Sequence, residues 1–244
     1  MSSRPVVVLT GASRGIGHAT VRKFAAENWR VLTISSKPFS KDCPWGGEED
    51  HVELDLANPD ACERAVVDLK ARLGDGKLNA LVNNAAISPK TAEGDRLGSL
   101  STPMATWARV FNVNFFSTII LAQGLREELS VAGGVIINVT SIAGSRVHPF
   151  AGSAYAASKA ALAALTRELA SDFGPYGVRV NAIAPGEIDT SILSPGTDKI
   201  VREEIPMRRL GTPMEVAETI FFLCSPAAAY INGAEVHING GQHV

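Results

Sequence analysis

The chain has 244 residues, a hydrophobic fraction of 45%, a charged fraction of 20% and a formal net charge of -2. That length suits one large α/β domain with a substantial core, and the charge gives no electrostatic reason to expect nucleic acid as a partner. No run approaches the roughly 18 apolar residues that span a bilayer. The start, Met1-Ser2-Ser3-Arg4-Pro5, lacks the apolar core of a signal segment, so cytoplasm is the expected compartment.

In chain order, short apolar runs alternate with amphipathic segments. Strands are predicted at Val6–Leu9, Arg30–Ser35, His51–Leu54, Leu78–Val82, Val135–Val139, Val178–Ile183 and Glu235–Ile238. Several are continuously apolar, the pattern of parallel strands covered on both faces. Helices are predicted at Ile16–Asn28, Asp60–Leu73, Met104–Ser130, Ser153–Phe173 and Pro213–Cys224. Asn58-Pro59 and Thr212-Pro213 each place a capping residue before a proline at a helix start. This alternation predicts an α/β fold, a single Rossmann-type doubly wound domain over 1–244, with a seven-stranded, mainly parallel sheet flanked by helices on both faces. Val7, Val8, Leu81, Ile136, Ile137 and Val180 are expected in its core. Two stretches break the alternation: Ser88–Pro103 reads as a surface loop, and Gly186–Gly211 reads as short helices forming a candidate lid. Both follow strands, so both should overhang the carboxyl edge of the sheet, where ligands bind in open α/β folds.

The first strand passes into the first helix through Thr10-Gly11-Ala12-Ser13-Arg14-Gly15-Ile16-Gly17. Glycines there permit a tight turn and a close backbone approach to a pyrophosphate, while the helix N-terminus offers unpaired N–H groups. A glycine triplet alone is weak evidence, but the strand–turn–helix setting points to dinucleotide binding. Tyr155 and Lys159 are four apart on a predicted helix and share a face. A phenol titrates near pH 10; lowering that value by about 2–3 takes roughly 3–4 kcal/mol of differential stabilisation, within reach of a close, desolvated cation. Read alone, such a pair is more often surface decoration. Ser141 follows the fifth strand, where it either ends the strand or donates to a substrate oxygen. His148 reads as a loop residue rather than a second acid. The cysteines Cys43, Cys62 and Cys224 and the five histidines form no disulfide framework and no metal-ligand spacing, so no metal is expected.

The spacing TGxxxGxG resembles that of the short-chain dehydrogenase/reductase family, and ordered motifs along nearly the whole chain support the resemblance. Asn83-Asn84-Ala85-Ala86 is similar to the family's NNAG, with Ala86 in place of the usual glycine; Asn114, Ser141, the YxxxK of Tyr155 and Lys159, and Pro185-Gly186 follow in order. The resemblance implies a catalytic set of Asn114, Ser141, Tyr155 and Lys159. In it Tyr155 exchanges the proton, Ser141 hydrogen-bonds the substrate oxygen, Lys159 also holds the nicotinamide ribose, and Asn114 positions a water. The residues alone do not separate Asn114 from Asn112; the family's spacing does. It further implies cofactor contacts from Gly11, Ser13, Arg14, Gly15, Ile16, Gly17, Asp55, Leu56, Asn83, Ala85, Pro185, Gly186, Ile188 and Thr190.

Enzymes selecting NAD place an acid at the end of the second strand. Thr33-Ile34-Ser35-Ser36-Lys37 has none, and Ser35, Ser36, Lys37 and Arg14 suit a 2′-phosphate, so NADP(H) is expected ahead of NAD(H). The implied activity is hydride transfer between nicotinamide and a carbonyl or secondary alcohol. The general pattern is closest to 3-oxoacyl-acyl-carrier-protein reductases, which makes a 3-oxoacyl thioester the leading substrate. Against it, the helix ends Glu127–Gly134 and Ser171–Gly177 carry no Lys or Arg for an acidic carrier. A small ketone, sugar or polyol stays open, as does a non-catalytic NADP(H)-binding redox sensor. Family members are commonly tetramers, so a homotetramer is expected, with a dimer behind it.

Overall fold

The structure is a computed structural model that describes residues 4–39, 46–190 and 196–244. Its strands are β1 (Val6–Thr10), β2 (Arg30–Ser35), β3 (His51–Glu53), β4 (Ala80–Asn83), β5 (Val135–Val139), β6 (Arg179–Pro185) and β7 (Glu235–Ile238). They form one seven-stranded sheet in the order β3-β2-β1-β4-β5-β6-β7. Every pairing is parallel. The order reverses direction between β1 and β4, which opens a crevice beyond their carboxyl ends.

Strand alternation divides the core between two faces. Val8, Leu32, Leu81, Ile136 and Val180 point to one side, where they pack with Leu69, Leu121 and Leu169. Val7, Leu9, Val82, Ile137 and Ile183 point to the other, against Phe24, Val216 and Ile220. The helices of the first layer are α2 (Pro59–Leu73), α4 (Ser117–Gly124) and α6 (Ser153–Phe173); those of the second are α1 (Gly15–Ala26) and α8 (Pro213–Cys224). All six core residues expected from the sequence are fully buried. Each such side chain contributes about 1.5–3 kcal/mol of burial. Phe24 meets Trp29 and Phe221 edge-on, at centroid distances of 5.0 and 5.2 Å, and so fixes α1 against α8.

The expected caps are present. Asn58 Oδ1 accepts the Ala61 N–H at the start of α2, and Thr212 forms a reciprocal capping box with Glu215 on α8. β4 begins at Ala80 rather than Leu78; just before it, the Asn79 backbone bonds Val6 and Val135 while its side chain accepts the Val6 N–H. β6 runs on to Pro185, since Ala184 and Pro185 pair with His237 and Ile238.

The largest departure lies in the long helix predicted over Met104–Ser130. The chain instead forms α3 (Met104–Phe111), a π-helical segment over Asn112–Phe116, α4, and α5 (Arg126–Ala132) after a break at Leu125. Within Gly186–Gly211, one short helix, α7 (Thr197–Glu203), is described, and a parallel bridge between Ile188 and Gly211 closes the base of the segment. Residues 191–195 of that stretch, and Cys43, lie outside the described residues. Among those described, no helix is long and apolar enough to cross a membrane.

Candidate active site

The crevice above β1 and β4 is a cavity of about 430 Å³, and most of the residues singled out in the sequence line it. At one end stands the glycine turn. Gly11 and Gly15 have φ of +72° and +56°, values that L side chains rarely adopt. A Cβ on Gly17 would lie 2.0 Å from the Gly11 carbonyl oxygen, so only glycine lets α1 start this close to the turn. Arg14 is the N-cap residue of α1, and its side chain makes no capping hydrogen bond. The first N–H groups of α1 are therefore left for an anion in the cavity. A pyrophosphate fits this turn, by the chemistry of its donors.

The turn is braced from β4. Asn84 Nδ2 donates to the Thr10 and Gly11 carbonyls, at 3.0 Å each, and Thr10 Oγ1 accepts the N–H groups of Asn84 and Ala85. Sequence reasoning passed over Asn84 and chose Asn83. The Asn83 side chain points into the sheet instead, where Nδ2 donates to Asn138 Oδ1. The only available signal was alternation: along an extended segment, adjacent side chains face opposite ways.

Beyond the end of β2, Arg14 and Ser36 are exposed and line the cavity. The Ser35 hydroxyl is engaged in its own turn, donating to the Lys37 carbonyl and accepting the Lys37 N–H. The Lys37 side chain is exposed and is not among the lining residues. Asp55 and Leu56 line the same end, where Asp55 pairs with Arg109 at 3.4 Å.

At the other end, Tyr155 and Lys159 project from the start of α6 toward Ser141, which follows β5. Tyr155 and Ser141 line this end of the cavity together, and Ser141 Oγ accepts the Ala143 N–H at 3.2 Å. Burial raises the phenol above its ordinary pKa; the neighbouring Ser141 hydroxyl acts in the opposite sense, and the charge of Glu187 adds to the rise. Lys159 is fully buried; its Nζ donates to the Val139 carbonyl at 2.5 Å, and burial pushes its pKa down to about 7. Gly144 keeps this region tight, since a Cβ there would lie 2.9 Å from the Ala160 nitrogen on α6. Pro185, Gly186, Ile188 and Thr190 complete the wall after β6.

Asn114 does not line the cavity. It is buried in the π-helical segment, where it clamps Ile87: Oδ1 accepts the Ile87 N–H at 2.9 Å and Nδ2 donates to the Ile87 carbonyl at 3.1 Å. Nδ2 also donates to Ser158 Oγ, whose hydroxyl donates to the Tyr155 carbonyl. Asn114 lies within the π-helical segment, whose wider turn shifts the side-chain phase relative to the flanking helices. Asn112 bonds the Ala57 carbonyl and packs α3 onto the chain before α2. A pair missed altogether in the sequence is His148–Glu187, with Nε2 and Oε1 2.5 Å apart on the cavity wall. Residues 39 positions apart, on two loops, carry no local spacing signal.

A family model described as enoyl-(acyl carrier protein) reductase matches residues 11–243. The chain belongs to the short-chain dehydrogenase/reductase family. Among curated relatives of this family, protein FixR of Bradyrhizobium diazoefficiens is 59% identical over 241 residues, covering 98% of this chain and 87% of that protein. The 3-oxoacyl-[acyl-carrier-protein] reductase FabG of Aquifex aeolicus is 34% identical over 97% of this chain and 96% of its own length. Among solved structures, a short-chain dehydrogenase/reductase family oxidoreductase of Brucella ovis, in complex with a partially ordered NAD, is 56% identical. It covers 97% of this chain and 100% of that one, with a TM-score of 0.85.

Proposed function

We propose that this short-chain dehydrogenase/reductase is an NADP(H)-dependent oxidoreductase that interconverts a carbonyl and a secondary alcohol, with the chain 1–244 as one catalytic domain and 186–211 as its lid. The observation that carries the reading is the joining, in one cavity, of an anion-accepting glycine turn with the hydroxyls of Tyr155 and Ser141 and the buried Lys159. When bound, the nicotinamide supplies or accepts the hydride. Tyr155 gives the substrate oxygen its proton in reduction and takes it back in oxidation. Ser141 holds that oxygen and steadies charge as it develops. Lys159 favours the phenolate and holds the nicotinamide ribose; Asn114 keeps the Ile87 segment and the first turn of α6 in register.

Preference for the 2′-phosphorylated cofactor rests on Arg14 and Ser36 at the cavity wall and on the absence of a carboxylate from 33–37. The NAD seen with the Brucella ovis protein makes direct competition of NADPH with NADH the deciding comparison. A homotetramer is proposed on the open edge of β7 and on Met104 and Phe116, large side chains left exposed on α3 and the π-helical segment. Cytoplasmic residence is proposed with it.

The test is cofactor consumption across a panel of carbonyls that includes acetoacetyl thioesters, with Tyr155→Phe alongside. Turnover should fall by about 10²–10⁴-fold in the variant while NADPH still binds. Equal activity in Tyr155→Phe would remove this tyrosine from the reaction.

A further inference from the structure

The cavity wall carries a polar pair that proton transfer by Tyr155 does not use. His148 Nε2 and Glu187 Oε1 are 2.5 Å apart, and the two side chains are only 11% and 10% exposed. His148 Nδ1 lies 3.2 Å from the Phe150 N–H. A backbone N–H can only donate, so Nδ1 is the acceptor and the ring proton sits on Nε2, from which it is donated to Glu187. Both ring nitrogens are thereby engaged within the protein, and the imidazole serves to orient the carboxylate. The Glu187 backbone is fixed as well, its carbonyl accepting the Gly211 N–H at 3.0 Å.

Glu187 Oε2, by contrast, receives no donor from the described residues, nor is it among the buried atoms left without a partner. Lys90 lines the same cavity but is committed elsewhere: its Nζ donates to the Phe150 carbonyl and lies 5.9 Å from that ring, and no ion pair joins it to Glu187. Ile142, Ala143, Phe150 and Ala151 line the same cavity, alongside the hydroxyls of Ser88, Thr140 and Ser141. A carboxylate oxygen that a ligand covers is costly to desolvate unless the ligand supplies a donor.

We propose that Glu187, oriented by His148, determines substrate specificity by accepting a hydrogen bond from a hydroxyl or ammonium group next to the reacting carbonyl. The preferred substrates are then small hydroxy- or amino-substituted ketones, in place of plain ketones or 3-oxoacyl thioesters, which carry no donor there. This rests on the oxidoreductase reading above. Hydrogen bonds to charged groups are among the stronger ones, and a site built around such a bond penalises a ligand that leaves it unmade. Glu187 also acts on the phenol: its charge opposes ionisation of Tyr155. A substrate donor that occupies the carboxylate relieves part of that opposition.

Three ketones of nearly equal size separate the cases: hydroxyacetone, aminoacetone and 2-butanone, each followed with NADPH for the wild type, Glu187→Ala and Glu187→Gln. Cofactor titration and thermal melting report whether each variant is folded and loaded. The wild type should favour a donor-bearing ketone over 2-butanone by about 10–100-fold in kcat/KM, and Glu187→Ala should bring that ratio close to its value in free solution. Comparing ratios between proteins cancels the intrinsic reactivity of each ketone. Glu187→Gln keeps an acceptor oxygen without the charge, so it should retain most of the preference if the donor is a hydroxyl and lose it if the donor is ammonium. Reduction of all three ketones with a ratio unchanged by Glu187→Ala overturns this inference and leaves the oxidoreductase reading standing. Absence of turnover for all three ketones, with NADPH bound and an acetoacetyl thioester reduced, likewise overturns this inference alone; only failure across the whole carbonyl panel with NADPH bound overturns the oxidoreductase reading as well.

Discussion

Lys159 Nζ lies over the Tyr155 ring, 5.8 Å from its centroid, while donating to the Val139 carbonyl at the end of β5. One side chain thus ties α6 to the sheet and sets its nitrogen over the phenol ring. Burial works on the two partners in opposite directions, raising Tyr155 and lowering Lys159, because each is penalised for becoming charged. The free protein therefore holds the pair close to its least charged state.

That arrangement makes stability depend on pH. The folded Lys159 titrates at about 7 against an ordinary 10.5, so between those values the unfolded chain binds a proton that the folded chain has released. Stability from this site rises with pH across the window, and its penalty is present in full below about 7. In melts of wild type and Lys159→Met, the difference should move in favour of the wild type from about pH 6 to about pH 10. A pH-independent difference would mean that Lys159 is not held at a lowered pKa.

Glu187 raises the Tyr155 pKa through its charge, and Glu187→Gln removes that charge while keeping the shape. The phenolate needed for alcohol oxidation should then form at lower pH. The pH profile of kcat/KM for oxidation, which reports the free enzyme, should shift to the acid side in this variant. A shift to the alkaline side would contradict the placement of Glu187 beside Tyr155.

Gly17→Ala tests the nucleotide turn. The added methyl would lie 2.0 Å from the Gly11 oxygen and 2.6 Å from Asn84 Nδ2, so the turn must open or α1 must shift. Forced overpacking of this kind costs about 1–3 kcal/mol. The melting temperature should fall, and cofactor titration should show binding weakened beyond that of any substitution on the opposite wall. Unchanged nucleotide affinity would place the pyrophosphate somewhere else.

Ser36→Asp tests the choice of cofactor. A carboxylate at this exposed, cavity-lining position would repel a 2′-phosphate and accept a hydrogen bond from a 2′-hydroxyl. The ratio of NADPH to NADH affinity should fall by about tenfold or more, on the scale of one charge-assisted contact. If the ratio is unmoved, position 36 does not face the 2′ group, and Arg14 becomes the residue to vary.

What the sequence determined by itself was whatever repeats locally: the continuously apolar strands, the capped starts of α2 and α8, the glycine turn, and Tyr155 and Lys159 on one helical face. Each follows from backbone geometry over a few residues, so its pattern survives without knowledge of the rest of the chain. The tertiary structure decided everything that required two distant segments to meet. It turned Asn114 inward within a π-helical segment, whose hydrogen-bond pattern no residue type in Asn112–Phe116 marks in the sequence. It chose Asn84 over Asn83 as the brace of the turn, a matter of which side of an extended segment faces β1. And it brought Glu187 to His148 only because the loops after β5 and β6 are neighbours in the strand order, a fact of sheet pairing that no spacing along the chain encodes.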